Sequence, residues 1–308
     1  MANTVVDVTN LVKTYGSIKA VDGISFQVLT GETFGMLGPN GAGKTTTVEI
    51  IEGLRQADTG SVSVLGMDVA NVPTKIKQRI GVQLQAPSLL PLVTVTELLD
   101  LFASFYDHSL SVDDVLEILS LEESRKVLVK NLSGGQQQRL SVALALINDP
   151  DIAFLDEPTT GLDPQARRSL WAVIEDMRSK GKTVFLTTHY MEEAERLCDR
   201  VAVIDHGQII ASGSPRELIQ THFKENAIEF DMTPPPLEIA MQTLPGATRV
   251  RLHDTGVTIY SADMPVTMSA LLKYAEKMGS TANLKNLRVR EATLEDVFLK
   301  LTGRTIRE

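Results

Sequence analysis

Hydrophobic and polar positions along the chain sort into three textures. Thr33-Phe34-Gly35-Met36-Leu37, Ile152-Ala153-Phe154-Leu155 and Thr183-Val184-Phe185-Leu186-Thr187-Thr188 are short apolar runs between polar turns. Runs of this kind predict strands buried on both faces, as at the centre of a parallel sheet. Residues 5–12, 24–28 and 60–65 read as further strands, and 80–85 as one that ends on a polar residue. The third texture is helical. It covers 45–52, 112–119, 137–147, about 161–180 and 191–197. Thr94 with Glu97 makes a capping box, which opens a helix carrying Val95, Leu98, Leu99, Phe102, Phe105 and Tyr106 on one face. That stripe reads as core. Residues 201–204 and 208–211 flank Asp205-His206-Gly207 as a hairpin, with His206 a turn residue.

Strands alternating with helices predict an α/β fold. A first domain spans 1–223, with a helical insertion over about 87–148. Within it Leu89, Leu90 and Leu92 fit either a core or an exposed apolar docking surface. The remainder, 224–308, begins with a strand over 227–232 and the prolines 234–236. It then gives a helix (237–243), two strands (248–253, 257–261), a helix (266–278) and a strand (284–290). This β-α-β-β-α-β order is that of a small ferredoxin-like α+β layer. A last helix over 294–301 is capped by Thr293, with Asp296 three residues on.

The first domain carries chemistry at its strand ends. Gly38-Pro39-Asn40-Gly41-Ala42-Gly43-Lys44-Thr45 fits the phosphate-binding loop pattern, placed between a strand and a helix. Its glycines let successive N–H groups point inward at phosphate oxygens. Lys44 supplies a charge for the β and γ phosphates, and Thr45 a hydroxyl for Mg²⁺. The following helix, with Thr46 in its first turn, aims its positive end at the same anion. Tyr15 is an adenine-stacking aromatic or a half-buried strand-end residue; spacing alone does not separate the two.

Asp156-Glu157 closes a buried strand where ligands bind in α/β sheets. Asp156 is placed to hold Mg²⁺, and Glu157 to take a proton from an attacking water. His189 ends the next buried strand, beside the expected nucleotide. Leu132-Ser133-Gly134-Gly135-Gln136 leads into a helix. By itself this stretch reads as a plain N-cap at Ser133 rather than as a second anion site.

Composition narrows the partners. The chain has 308 residues, 43% of them hydrophobic, which is enough for a sizeable core. A net charge of -9 and a pI near 5.2 exclude a broad basic field for nucleic acid. The single cysteine, Cys198, forms no internal disulfide and reads as a small core residue. No apolar run approaches the ~18 residues of a membrane helix, and the amino terminus lacks the marks of a signal peptide. The expectation is a cytoplasmic chain, with any membrane spanning left to another polypeptide.

Tyr15, the loop at 38–45, the LSGGQ stretch at 132–136, Asp156-Glu157 and His189 together resemble the ATP-binding subunits of ABC transporters. The resemblance covers about the first 220 residues. It implies a P-loop ABC ATPase domain with an antiparallel β subdomain and a helical insertion. It also implies an ATP hydrolase using Mg²⁺, working as a homodimer on a separate transmembrane permease at the inner face of the membrane. In that family the LSGGQ of one subunit closes over the ATP held by another. Ser133, Gly134, Gly135 and Gln136 would then face the opposite γ-phosphate.

Further roles carried by the resemblance are a Mg²⁺-sensing, permease-linked glutamine at Gln85 and a cross-dimer aspartate at Asp163. His189 would be a switch histidine on the γ-phosphate. Gln83 lies close enough to Gln85 to be confused with it.

Arg290-Glu291-Ala292-Thr293-Leu294-Glu295-Asp296-Val297-Phe298 resembles the tail of drug-resistance exporter ATPases of the daunorubicin kind. The implied cargo is a drug, a lipid-like molecule or another hydrophobic compound. The segment 127–131 lacks the Gly/Glu-rich stretch of fused exporters, which agrees with a separate subunit. Competing readings are a non-transport ABC ATPase acting on DNA or ribosomes, and an importer ATPase.

Overall fold

The alternation at the start of the chain folds as the antiparallel pair β1 (Thr4–Tyr15) and β2 (Ile18–Leu29). Then come β3 (Thr33–Leu37), α1 (Lys44–Ile51), β4 (Thr59–Val64), β5 (Met67–Asp68), α2 (Thr74–Lys77) and β6 (Ile80–Gln83). The helical insertion holds α3 (Val95–Ala103), α4 (Val112–Ile118) and α5 (Gly134–Leu146). It leads to β7 (Ile152–Asp156), α6 (Pro164–Ser179), β8 (Thr183–Thr188), α7 (Met191–Leu197), β9 (Arg200–Asp205) and β10 (Gln208–Gly213). The computed structural model describes residues 3–71, 74–84, 89–223, 225–233, 238–253, 256–277 and 283–303. The chain divides at Pro215/Arg216 into two units.

Two sheets build the first unit. The smaller is antiparallel, in the order β2-β1-β4-β5. The larger runs β10-β9-β3-β8-β7-β6, with β9, β3, β8, β7 and β6 mutually parallel. β3, β7 and β8 are buried at every position, as their unbroken apolar runs demand. Between the sheets Phe26 stacks on Phe34 at 5.3 Å, and Phe185 bridges Phe34 and Phe154 at 5.5 and 5.7 Å. Each ring contributes on the order of 2 kcal/mol or more through removal from water. This aromatic ladder fixes the parallel strands, and with them the loops at their carboxyl ends. Cys198 is buried and unbonded, and burial pushes its thiol well above the usual range.

The helical insertion departs from expectation in two places. The capping box of Thr94 and Glu97 forms, and Val95, Leu98 and Leu99 are buried. The helix stops at Ala103, however, so the aromatic stripe leaves the core. Phe105 is 60% exposed, and Phe102 and Tyr106 are only half-buried. Leu90 and Leu92 are exposed too, while Leu89 is half-buried. α5 begins at Gly134, so both glycines sit inside its first turn.

The second unit starts at Arg216, earlier than the expected boundary at Phe223. Its first helix is α8 (Pro215–His222). Ile219 and Phe223, on this segment, pack with Ala227, Tyr260, Ala292 and Val297 of the tail. A four-stranded antiparallel sheet follows: β11 (Asn226–Thr233), β12 (Ala247–Leu252), β13 (Gly256–Ser261) and β14 (Asn283–Arg290). Its helices are α9 (Glu238–Gln242), α10 (Met264–Lys277) and α11 (Leu294–Thr302). The sheet order β12-β13-β11-β14 is that of a ferredoxin-like layer.

Asp296 caps α11 by accepting from the Thr293 N–H at 2.9 Å. It also accepts from the Tyr260 hydroxyl and the Arg290 guanidinium, which holds its carboxyl below the usual range despite burial. Prolines 234–236 and residues 254–255 lie outside the described residues.

Candidate functional site

Four neighbouring parallel strands end at one edge of the sheet. β3 delivers the loop 38–45, β8 delivers His189, β7 delivers Asp156 and Glu157, and β6 delivers Gln83. Ligands of α/β sheets bind outside such carboxyl ends.

The loop's shape needs glycine at specific points. Gly43 takes φ 108°, and a Cβ there would fall 2.2 Å from the Ala20 carbonyl oxygen. A Cβ at Gly38 would fall 2.3 Å from the Ile204 carbonyl oxygen. Ala42 is buried and passes its carbonyl to the Gly207 N–H at 2.9 Å, which anchors the loop to β9–β10. The result is a cavity of about 370 Å³ lined by Tyr15, Ala20, Asn40, Gly41, Gly43, Lys44, Thr45, Thr46 and Glu157. Tyr15 is partly exposed at its rim, with the Arg55 guanidinium 5.3 Å from the ring centre.

Inside the cavity Lys44 Nζ donates to the carbonyls of Gly38 at 2.8 Å and Pro39 at 3.1 Å. It also lies 3.3 Å from Glu157 Oε1. Glu157 Oε2 accepts from the Thr160 hydroxyl at 3.2 Å and lies 3.2 Å from His189 Nδ1, without the angles of a hydrogen bond. His189 beside it, and then the Lys44 charge, hold the Glu157 carboxyl down at about 2 against the pull of burial. On Lys44 the balance reverses: burial outweighs the attraction of Glu157 and lowers the ammonium's value.

Glu157 is aimed by its main chain. Its N–H donates to the Thr187 carbonyl at 3.2 Å and hydroxyl at 3.0 Å. Its φ of 50° lies in the left-handed region that side-chain-bearing residues avoid.

Asp156 accepts from the Thr187 hydroxyl, and the Thr45 hydroxyl also stabilises its charge. Burial raises its value overall, and the neighbouring Glu157 adds to that. A carboxylate and a hydroxyl facing a phosphate cradle suit Mg²⁺, which takes one or two protein oxygens and completes its shell with phosphate and water. A cation there would relieve the buried charge of Asp156. Gln83 is buried, and its amide donates to the carbonyls of Leu84 at 2.8 Å and Asp156 at 3.3 Å. Gln85 lies outside the described residues.

Glu52, just past α1, is 4% exposed, and neither carboxyl oxygen has a hydrogen-bond partner among the described residues. Burial, with the charges of Asp156 and Glu49, pushes its carboxyl up to about 9.

Ser133, Gly134, Gly135 and Gln136 do not line this cavity. Ser133 and Gln136 form a reciprocal capping box at the start of α5. Asp163 caps α6 by accepting from the N–H groups of Gln165 at 2.8 Å and Ala166 at 3.0 Å.

Thr160, Thr187 and Ala20 escaped the sequence reading. Thr187 offered a signal, being a polar residue at the end of an apolar strand, two steps before His189. Ala20 offered none, because its contact with the loop is made across the fold, and Thr160, three residues past Glu157, reads as an ordinary turn residue.

Residues 21–160 match the family model described as ABC transporter. A protein of Burkholderia pseudomallei named Nod factor export ATP-binding protein I is 43% identical over 304 residues, covering 97% of either chain. One of the same name from Ralstonia nicotianae is 41% identical, covering 99% of this chain and 95% of its own. Among solved structures, a dimeric ATP-binding cassette in a post-hydrolysis state with ADP and Pi aligns with a TM-score of 0.63 at 29% identity. It covers 68% of this chain and 98% of its own. A nucleotide-free cassette from an ABC transporter aligns at 0.63 and 27%.

Proposed function

The chain belongs to the ATP-hydrolysing, ATP-binding subunits of ABC transporters, and on that premise we propose that two copies close around two Mg·ATP to drive a separate exporting permease. Relatives named for Nod factor export support the outward direction. A lipid-like or otherwise hydrophobic cargo fits both those relatives and the drug-resistance-type tail.

In each half-site Lys44 and the loop N–H groups bind the β and γ phosphates, and Tyr15 stacks on the adenine. The phosphates take over the ammonium that Gly38, Pro39 and Glu157 hold. Thr45 and Asp156 hold Mg²⁺, which supplies positive charge against the γ-phosphate. Glu157, ionised throughout the neutral range, orients and polarises the attacking water. His189 holds the other side of that water. The exposed Leu90 and Leu92 face the permease, a link that the resemblance also gives to Gln85.

One observation carries the two-copy reading. A Cβ at Gly134 would meet nothing within 4 Å, and at Gly135 only a Leu162 methyl at 3.6 Å. Neither glycine takes a positive φ. Nothing among the described residues needs glycine there, and glycine weakens a helix by about 0.5–1 kcal/mol. A close approach from outside the chain supplies the reason: the γ-phosphate held by the other copy, met by Ser133, Gly134, Gly135 and Gln136. Asp163 then touches the partner across the same seam.

The test is Glu157→Gln. With ATP and Mg²⁺ it should bind nucleotide, hydrolyse none, and double in mass by light scattering. A variant that turns over at the wild-type rate, or stays single when saturated with ATP, overturns the proposal.

A further inference from the structure

Glu193 lies in the first turn of α7, four residues past His189, with 0% of its surface exposed. Burying a carboxylate is costly unless strong donors meet it, so its partners carry meaning. Its Oε1 accepts from the Thr159 hydroxyl at 2.8 Å and from the Trp171 indole N–H at 2.8 Å. Thr159, itself buried, lies in the turn that joins Glu157 to Asp163. Trp171 lies on α6, the helix that Asp163 caps.

A second strap runs parallel to the first. The Tyr190 ring sits 4.2 Å from the His189 ring, and the Arg167 guanidinium of α6 sits 4.3 Å over Tyr190. The segments bearing Glu157, Asp163 and His189 therefore meet on one carboxylate and one stacked pair.

We propose that Glu193 is a positioning residue, whose single oxygen locks the Glu157–Asp163 turn to the His189 segment so that the three move as one body when ATP is engaged. This rests on the roles proposed above for those three residues. Neither Glu193 nor Thr159 lines the phosphate cavity, so losing their bond leaves the ATP contacts in place and disturbs only their alignment.

Trp171 is the only tryptophan in the chain, which makes its fluorescence a direct reporter of the bond. The test uses the full-length chain and radiolabelled ATP. Glu193→Ala should keep the ATP KM within about twofold and lower kcat about tenfold or more. It should also lose the Trp171 fluorescence change that ATP produces in the wild type. Glu193→Gln keeps an acceptor oxygen and should recover most of kcat.

Thr159→Val removes one hydroxyl and no charge, and covers the case in which Glu193→Ala does not fold. It should lower kcat at least threefold at unchanged KM, on the order of 0.7 kcal/mol. Wild-type kcat in a folded Glu193→Ala or in Thr159→Val overturns the inference, as does a Trp171 signal indifferent to ATP. If instead wild type and Glu157→Gln hydrolyse ATP alike, the assigned role of Glu157 fails and not the strap.

Discussion

Lys44 and Glu157 face each other at 3.3 Å with side chains only 4% and 5% exposed, so each offsets part of the other's cost of leaving water, beside His189 on Glu157 and the Gly38 and Pro39 carbonyls on Lys44. Lys44→Ala should abolish ATP binding, measured by equilibrium dialysis; retained affinity would remove the phosphate-cradle role. The variant should also lose on the order of 3 kcal/mol, because it leaves a buried charge short of a partner. Glu157 stands at about 2 against an ordinary 4.5, so the stability from its contacts is complete above pH 4.5 and is lost as pH falls through 2. The gap between wild type and Lys44→Ala in urea melts should be widest above pH 4.5 and close towards pH 2.

Gly134→Ala and Gly135→Ala should separate stability from activity. A methyl at either place has room, and helix propensity then favours alanine by up to about 1 kcal/mol. Both variants should melt at or above the wild-type temperature and still bind ATP, yet hydrolyse it at least tenfold more slowly. A lower melting temperature with normal hydrolysis would mean that the glycines serve this chain's own fold.

Glu52→Gln should stabilise the protein at neutral pH. A folded value near 9 against 4.5 means that folding must keep the proton on, and the cost grows as pH rises from 4.5 to 9. At pH 7 that cost is about 3 kcal/mol as an upper figure, so a gain of about 1–3 kcal/mol is expected. The gain should vanish at pH 4. Equal stability of the two proteins at pH 8 would contradict it.

Asp296→Ala should strike the tail. It uncaps α11, leaves the buried Tyr260 hydroxyl without its acceptor and strips the Arg290 guanidinium of one of its two carboxylate partners, Glu229 remaining. A cost of about 3 kcal/mol or more follows. Hydrogen exchange in residues 256–261 and 294–302 should speed up, while that of β3, β7 and β8 stays unchanged.

Much of this was legible because the informative runs are local. An unbroken apolar run such as Thr183–Thr188 has one good home, the middle of a sheet, and its last residue marks the sheet's edge. Capping at Thr94, Ser133 and Thr293 was likewise local chemistry, whereas the cap at Asp163, two residues inside the expected helix start, was not read. What escaped depended on where an element stops or what lies opposite it. Phe105 keeps the helical spacing of a core residue, but the helix ends two residues before it. The segment up to Phe223 sits with the tail because Ile219 and Phe223 find their apolar neighbours there. Glu193 reads as one more acid on a polar helix until Thr159 and Trp171, distant in sequence, close on it.

The left-handed turn at Glu157 bears on how such a motor decays. Glycine or asparagine would rest there with about 1 kcal/mol less strain, and neither can polarise water. Against that small relief stands the buried Lys44 ammonium, which would lose its carboxylate at a cost of about 3 kcal/mol. A cassette silenced at this position therefore forfeits robustness along with turnover.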